Sequence, residues 1–382
     1  MSGSVAPGPL LKTFKRLPLE LTRGEDVFVF DVEGRKYLDF YAGHAVASTG
    51  HCHPHVVRAI RDQAAKLIFY SNVAGLRLRD EAAALLVSKA PSGFTQVLFA
   101  NSGAEANENA LKMARRHTGR AGVVAMHGGF HGRTAGAVSV TGVEKYRASS
   151  VPLVPGVAFV PFGDLDAASA AVTGGTAAVI LEPIQSMAGV KTATADYFRG
   201  LRALCDRAGA LLIYDEVQTG IGRTGTMFFA GRHGVLPDLI TLAKGIASGV
   251  PLSAVLVRDF IADRVAYGDY GATFGAGPLA MAAMKATLEV IESDRLLNNV
   301  VRTSAYAVER LKKVRGVREV RGLGFLLGLK IEADGAKTQS ELLQRGVIVG
   351  TADEPGVLRL LPPLTLKPEH VDTLADLLES AP

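Results

Sequence analysis

The sequence predicts an α/β fold: a large domain with a mainly parallel sheet flanked by helices, joined to a small α+β domain. Three observations carry this. Between about residues 95 and 260, apolar runs of strand length alternate with helical stretches, the pattern of crossover-linked parallel strands. Two of those runs, Ala210–Tyr214 and Leu239–Ala243, end directly in Asp215-Glu216 and Lys244-Gly245, and open α/β sheets bind ligands at the carboxyl ends of their strands. The 42 glycines among 382 residues exceed average usage, which favours many tight turns over a helical bundle. That length suits two or three domains. We expect residues 1–55 to be an N-terminal segment belonging to the small domain, 56–278 the large domain and 279–382 the C-terminal part of the small domain.

Taken in order, residues 1–10 read as a loose Ser/Gly/Pro tail, and Val27–Phe40 as a β-hairpin turning at Glu33-Gly34. Pro54 opens a helix to Lys66. Leu78–Ala90 is a helix and Val97–Ala100 a short buried strand, followed by the helical pattern Ala104–His117. Gly122–Met126 and Ala177–Leu181 are strands, and Tyr197–Ala208 is the helix leading into Ala210–Tyr214. Beyond Lys244, Ser253–Val257 reads as a strand, Leu279–Ser293 as a long helix and Arg302–Arg315 as an amphipathic helix. Gly322–Ile331, Gly346–Val349 and Val357–Leu361 read as strands, and Pro368–Glu379 closes the chain as a helix.

Composition excludes several classes. The formal charge of +5 is small for this length. The basic clusters Arg115-Arg116 and Arg310–Arg321 carry no interleaved aromatic residues, so they read as solvated helix faces and no nucleic-acid partner is expected. No apolar run approaches a membrane span, and the start lacks the apolar core of a signal peptide. Cys52 and Cys205 are far apart and suggest no disulfide framework, so the expected location is the cytoplasm, away from membranes. His51, Cys52, His53 and His55 invite a zinc reading, but the spacing fits no standard zinc pattern and no second ligand cluster follows; turn and packing roles are expected, with no metal.

The chemistry concentrates in four places. Asp215 and Lys244, at two strand ends, are an acid able to hold a pyridinium nitrogen and an amine able to form a Schiff base, the two protein groups that pyridoxal 5'-phosphate (PLP) chemistry needs. Asn101–Asn107 runs from a strand through Ser102-Gly103-Ala104 into a helix N-terminus, where N–H groups and the helix dipole favour a phosphate and Ser102 reads as the N-cap. In His127–Arg133, Phe130 suits stacking on a flat ring and Arg133 suits a carboxylate. In the Gly-rich loop Tyr270–Pro278, Thr273 is able to donate to a phosphate. Gly220–Gly225 matches G-x-G-x-x-G, yet it neither follows a strand at once nor opens a helix, so a dinucleotide-binding reading is rejected.

Together these stretches resemble the class III aminotransferases of PLP fold type I, nearest to the acetylornithine and ornithine aminotransferases. The resemblance rests on Leu38-Asp39-Phe40, Gly50–Pro54, Asn101–Asn107, Phe130–Thr134, Glu182–Gln185, Asp215–Gly225, Leu242–Gly245, Thr273–Gly275 with Pro278, and Arg359–Leu364, and spans nearly the whole chain. It implies that Lys244 carries PLP and moves the proton, that Asp215 pairs with the pyridine nitrogen, and that Gly103 and Ala104 bind the phosphate. It further implies that Val217 and Phe130 cover the two ring faces and that Gln218 lies near the phenolic oxygen. A threonine placed like Thr273 reaches the neighbouring subunit's phosphate in the family, which implies a homodimer with shared active sites. Arg133 resembles the arginine that holds the donor's α-carboxylate, and Arg359 the one that grips 2-oxoglutarate. The implied reaction moves the terminal amine of an ornithine-type donor, N-acetylornithine first, to 2-oxoglutarate.

Two positions depart from the family. After Pro-Ile-Gln the chain reads Ser186-Met187-Ala188, where relatives carry a glutamate that masks the second arginine. We expect either that another acid substitutes for it, or that Arg359 stays exposed and the donor differs. His44 stands where ornithine enzymes carry a tyrosine and acetylornithine enzymes an apolar residue; it reads either as a specificity residue or as an ordinary polar residue at the pocket rim. Other donors (ornithine, carrier-bound lysine, 4-aminobutyrate, a diamine) stay open, as does a PLP mutase or decarboxylase. The two arginines favour transamination over the latter, and intact Lys244 and Asp215 disfavour a non-catalytic binder.

Overall fold

The computed structural model describes residues 9–380. Most of the expected tail at residues 1–10 lies outside them. In chain order the strands are β1 (Leu21–Glu25), β2 (Phe28–Asp31), β3 (Lys36–Asp39), β4 (Phe94–Ala100), β5 (Gly122–Met126), β6 (Val157–Val160), β7 (Thr176–Leu181), β8 (Leu211–Asp215), β9 (Leu239–Leu242), β10 (Ser253–Arg258), β11 (Val317–Leu323), β12 (Leu326–Ile331), β13 (Val347–Ile348), β14 (Gly350–Thr351) and β15 (Val357–Leu360).

Seven strands form the central sheet in the order β4-β10-β9-β8-β7-β5-β6. The pairs β5–β6, β5–β7, β7–β8 and β8–β9 are parallel, whereas β10 runs antiparallel to both its neighbours. Every residue of β7, β8 and β9 is buried. Strands covered on both faces read as continuous apolar runs, which is why the sequence announces them. Alternate side chains then separate into two cores. Val124, Met126, Val179, Leu181, Leu212 and Tyr214 join one, and Val123, Ala125, Ala178, Ile180, Leu211 and Ile213 the other. Helix Ala195–Ala208 fills the first side with Phe198, Leu201 and Cys205, all buried at helical spacing. Helix Gly103–Thr118 fills the second with Ala106, Ala110, Met113 and Ala114, whose small side chains bring it close to the sheet.

Two four-stranded sheets flank this unit, β1-β2-β3-β13 and β11-β12-β15-β14. The first joins the chain's two ends, because β3 pairs in parallel with β13 through Leu38↔Val347. Its hairpin turns where expected: Asp31 Oδ1 accepts the N–H groups of Glu33 (3.0 Å) and Arg35 (2.9 Å), and Gly34 takes φ +80°.

Several expectations need correction. The stretch Gly322–Ile331 is no single strand: it holds the end of β11, a hairpin turn at Gly324-Phe325 and all of β12. Gly324 makes that turn at φ +57°, where a Cβ would lie 2.5 Å from the Arg223 carbonyl. The helix expected at Arg302–Arg315 runs Leu296–Leu311. Its start hides because Arg295, with φ +52°, offers no capping side chain. Strands β1, β6 and β14 and helix Leu165–Ala171 were not anticipated.

Candidate active site

Strands β8 and β9 lie side by side and parallel, with Asp215 opposite Thr241. The chain ends of both strands therefore deliver Asp215 and Lys244 to one cavity of about 330 Å³, whose lining includes Gly103, Ala104, Phe130 and Val217. A larger cavity of about 880 Å³, lined by His51, Cys52, Arg302 and others, contains none of these residues.

Asp215 is buried and fully engaged. Its Oδ2 accepts from Asn107 Nδ2 and His131 Nδ1, both at 2.8 Å, and its Oδ1 from the Val217 N–H at 3.0 Å. Asn107 is itself oriented, since its Oδ1 accepts the Thr241 hydroxyl at 2.7 Å and its Nδ2 also reaches the His131 carbonyl. Sequence reasoning missed Asn107 and His131 as supports. Asn107 sat inside the Asn101–Asn107 stretch, five residues into an otherwise small-residue helix face, and a buried amide there was the available signal. A carboxylate fixed by three donors is held in one orientation and can face a cationic ring nitrogen.

Ser102 caps the helix Gly103–Thr118 as expected: its Oγ accepts the Glu105 N–H at 3.2 Å. The first-turn N–H groups of Gly103 and Ala104 sit at the cavity wall. Gly103 is needed there because a Cβ would come 3.0 Å from Val217 Cγ2. Gly132, at φ +134°, seats the Phe130 loop on Ala104, where a Cβ would approach to 2.6 Å. Glu182 tethers the same loop by accepting the Phe130 N–H at 2.8 Å. Burial, then the Asp215 charge, pushes the Glu182 carboxyl up to about 7.

Lys244 adopts φ +45°, a conformation that L-residues with a side chain seldom take. Gly245 follows because a Cβ would strike Ser48 Oγ at 2.0 Å. Desolvation lowers the Lys244 pKa; Asp215 and Glu182 oppose that shift, and Arg359 adds to it. The side chain is half-buried in the cavity wall. Val217 and Phe130 line the cavity with it, and Gln218 Oε1 is buried without a hydrogen-bond partner among the described residues.

Arg359, on β15, is buried, and among the described residues no carboxylate holds it. Its Nε donates to the Thr351 carbonyl (2.7 Å), Nη1 to Ser186 Oγ (3.2 Å) and Nη2 to the Tyr41 hydroxyl (2.8 Å). Among the described residues no acid takes the place of the family glutamate, and the guanidinium, though unmasked by a carboxylate, is shielded from solvent. Met187 is half-buried, and its carbonyl accepts the Asp353 N–H at 2.8 Å. His44 is exposed and outside the cavity lining, and its Nδ1 lies 2.8 Å from the Tyr41 hydroxyl. Arg133 is exposed, with its guanidinium over the rings of Tyr146 (4.8 Å) and Phe14 (5.4 Å). Thr273 is exposed and lies outside the cavity lining, beside Ser71 and Asn72.

The histidine cluster is occupied internally. His51 Nε2 bonds Asp39 Oδ2 (2.8 Å), His53 faces Asp294 (3.4 Å) and His55 faces Glu289 (2.8 Å). Among the described residues, no group of three or more His, Cys, Asp or Glu side chains is placed to hold a metal. No helix among them is long and apolar enough to cross a membrane.

The family model for "Aminotransferase class-III" matches residues 12–381. The chain belongs to the class-III aminotransferases. This class-III aminotransferase is 42% identical to the acetylornithine aminotransferase of Methanocaldococcus jannaschii, over 97% of this chain and 94% of that protein. Among solved structures it resembles the ornithine aminotransferase of Toxoplasma gondii, with TM-score 0.91, 30% identity and coverage of 97% and 91%. It also resembles the acetylornithine aminotransferase of Elizabethkingia anophelis, with TM-score 0.84, 30% identity and coverage of 97% and 94%. Enzymes of this class depend on PLP, and the residues fit that group: an oriented carboxylate, a helix N-terminus and a lysine amine converge on one cavity, and the chain beside Val217 carries the unpartnered amide oxygen of Gln218.

Proposed function

We propose that this aminotransferase moves the terminal amino group of an ornithine-type donor, N-acetylornithine first, to 2-oxoglutarate, giving a semialdehyde and glutamate. The observation that carries this reading is the meeting of Lys244, Asp215 and the Gly103-Ala104 helix end in one cavity of a chain whose relatives are acetylornithine aminotransferases. Bound there, PLP supplies an electron sink for the carbon that carries the amine. Asp215 keeps the ring nitrogen protonated, held in turn by Asn107 and His131. Gly103 and Ala104 offer N–H groups to the phosphate. Phe130 and Val217 would hold the ring between them, and Gln218, whose Oε1 has no partner among the described residues, would serve its phenolic oxygen. Lys244 Nζ takes the proton from the amine-bearing carbon of the substrate, and the desolvation that lowers its pKa favours the neutral amine this needs.

Arg133 takes the donor's α-carboxylate and Arg359 that of the oxo-acid. Thr273 of the partner subunit completes the phosphate site in a homodimer. This reading is supported by the apolar surface beside Thr273, where Ile68 (64% exposed) and Phe274 (63%) stand open and the rings of Phe69 and Phe274 pack at 5.1 Å. Two unpaired cysteines favour a reducing compartment, which we take to be the cytoplasm.

A half-reaction scan tests the donor. The PLP enzyme is mixed in turn with N-acetylornithine, ornithine, N-succinylornithine, lysine, 4-aminobutyrate and putrescine, and the cofactor's visible absorbance is followed. We expect fast bleaching by N-acetylornithine and recovery with 2-oxoglutarate. Bleaching only by another amine would replace the proposed donor, and no visible band with added PLP would defeat the enzyme reading. Lys244→Ala is expected to abolish bleaching by every donor.

A further inference from the structure

The region around Arg359 contains a relay that neither the family match nor the proposed reaction uses. Residues Ala42, Gly43, His44 and Ala45 all have positive φ, at 47°, 57°, 70° and 67°. Together they make one turn of left-handed helix, closed by Ala45 N–H to Tyr41 O (2.9 Å) and Val46 N–H to Ala42 O (2.8 Å). Three of the four carry a Cβ, and each is disfavoured by roughly 1–2 kcal/mol in this conformation. Asp39 holds the turn, its Oδ1 accepting the N–H groups of Tyr41 (2.8 Å) and Ala42 (2.9 Å). The turn brings His44 back over Tyr41, with ring centroids 4.7 Å apart.

The direction of the hydrogen bonds follows from chemistry. Arginine only donates, so the Tyr41 oxygen accepts from Arg359 Nη2, and its single proton goes to His44 Nδ1, the unprotonated ring nitrogen. Desolvation of that ring, then the Arg359 and Lys244 charges, pushes the His44 pKa below its ordinary value and favours the neutral ring. Strand β14 makes room: a Cβ on Gly350 would lie 2.2 Å from Tyr41 Cε2.

We propose that Tyr41 and His44 are a positioning pair that orients Arg359 through a charge-neutral relay, standing in for a carboxylate partner. This rests on Arg359 being the acceptor's carboxylate site. With only neutral oxygens bonded to it among the described residues, the guanidinium is not tied up by an acid in either half of the reaction. The enzyme then needs no masking acid, and it favours substrates that present an anion at Arg359 whichever half-reaction is under way.

The test uses the PLP enzyme at saturating donor with 2-oxoglutarate varied. Tyr41→Phe is expected to raise KM for 2-oxoglutarate on the order of tenfold with a much smaller change in kcat. His44→Leu should do the same, His44→Gln, which keeps an acceptor for the phenol, should restore most of the loss, and Tyr41→Phe with His44→Leu should be no worse than either alone. If Arg359→Lys leaves that KM unchanged, the reading of Arg359 itself fails. If Arg359→Lys raises KM while Tyr41→Phe and His44→Leu do not, or if their effects simply add, the relay is overturned and the proposed function stands.

Discussion

Glu182 shows how one residue couples burial to position. Its carboxylate is walled in beside Asp215 and still has to hold the Phe130 loop through one N–H. Its pKa of about 7 in the folded chain lies above the ordinary value of 4.5. The folded state therefore binds more protons than the unfolded state between these values, and this group's contribution to stability is full at low pH and is lost as pH rises toward 7. Glu182→Gln keeps an oxygen for Phe130 but cannot ionise. We expect it to gain on the natural chain in Tm as pH rises from 5 to 7.5, read by thermal unfolding at both pH values. A constant difference would show that the carboxyl does not titrate in that window. At Met187 the prediction concerns selectivity: Met187→Glu brings an anion next to Ser186, which Arg359 contacts, and we expect altered preference among amino donors in the half-reaction scan. An unchanged order of donors would mean that position 187 does not tune Arg359.

Elements were legible where local pattern and tertiary context agreed. β5, β7, β8 and β9 are largely apolar because both faces are covered, and helices Pro54–Ala64 and Gly103–Thr118 announce themselves by Pro54 and Ser102. The hairpin β11–β12 stayed hidden because Gly324-Phe325 lacks the Asn-Gly type of turn, and the turn is held instead by a distant contact, Phe325 N–H to the Arg223 carbonyl at 2.9 Å. The cofactor-side residues were legible because strand ends and a helix start carry them. The left-handed turn was not, because Ala42 and Ala45 are not residues that favour positive φ; side-chain bonds from Asp39 to the N–H groups of Tyr41 and Ala42 impose it. Asp39 is the residue that does so, and it also holds His51 at 2.8 Å. Asp39→Ala is expected to lose about 2–4 kcal/mol in urea unfolding, from three bonds to one anion and the strain they restrain. A loss under about 1 kcal/mol would mean that the turn stands without it.

At the scale of the molecule, one buried cation joins the sheets. Arg223, in the loop after β8, is 2% exposed and donates to the Phe325 and Pro362 carbonyls, with burial pushing its pKa down to about 9. It thus ties the loop beside the cavity to the sheet that carries Arg359. Arg223→Met would leave two buried carbonyls short of a donor, and we expect a loss of about 2–3 kcal/mol by urea unfolding together with a raised KM for 2-oxoglutarate. The dimer gives another expectation at this scale. Light scattering should return about twice the chain mass of 40.2 kDa, and Thr273→Ala should weaken PLP retention by roughly tenfold while leaving that mass unchanged.

The backward-wound turn at Ala42–Ala45 also makes this chain responsive to handedness at a chosen atom. Gly43 is exposed and sits at φ +57°, a region natural to D-residues. D-alanine placed there stiffens the unfolded chain without strain and should stabilise by roughly 0.5–1 kcal/mol, while its L enantiomer should destabilise by a similar amount. Cys52 lies a few residues downstream and serves as a native junction for chemical ligation, so a synthetic segment 1–51 can carry either enantiomer into the intact enzyme. One stereocentre, inverted outside the catalytic groups, then becomes a dial on how firmly the substrate arginine is aimed.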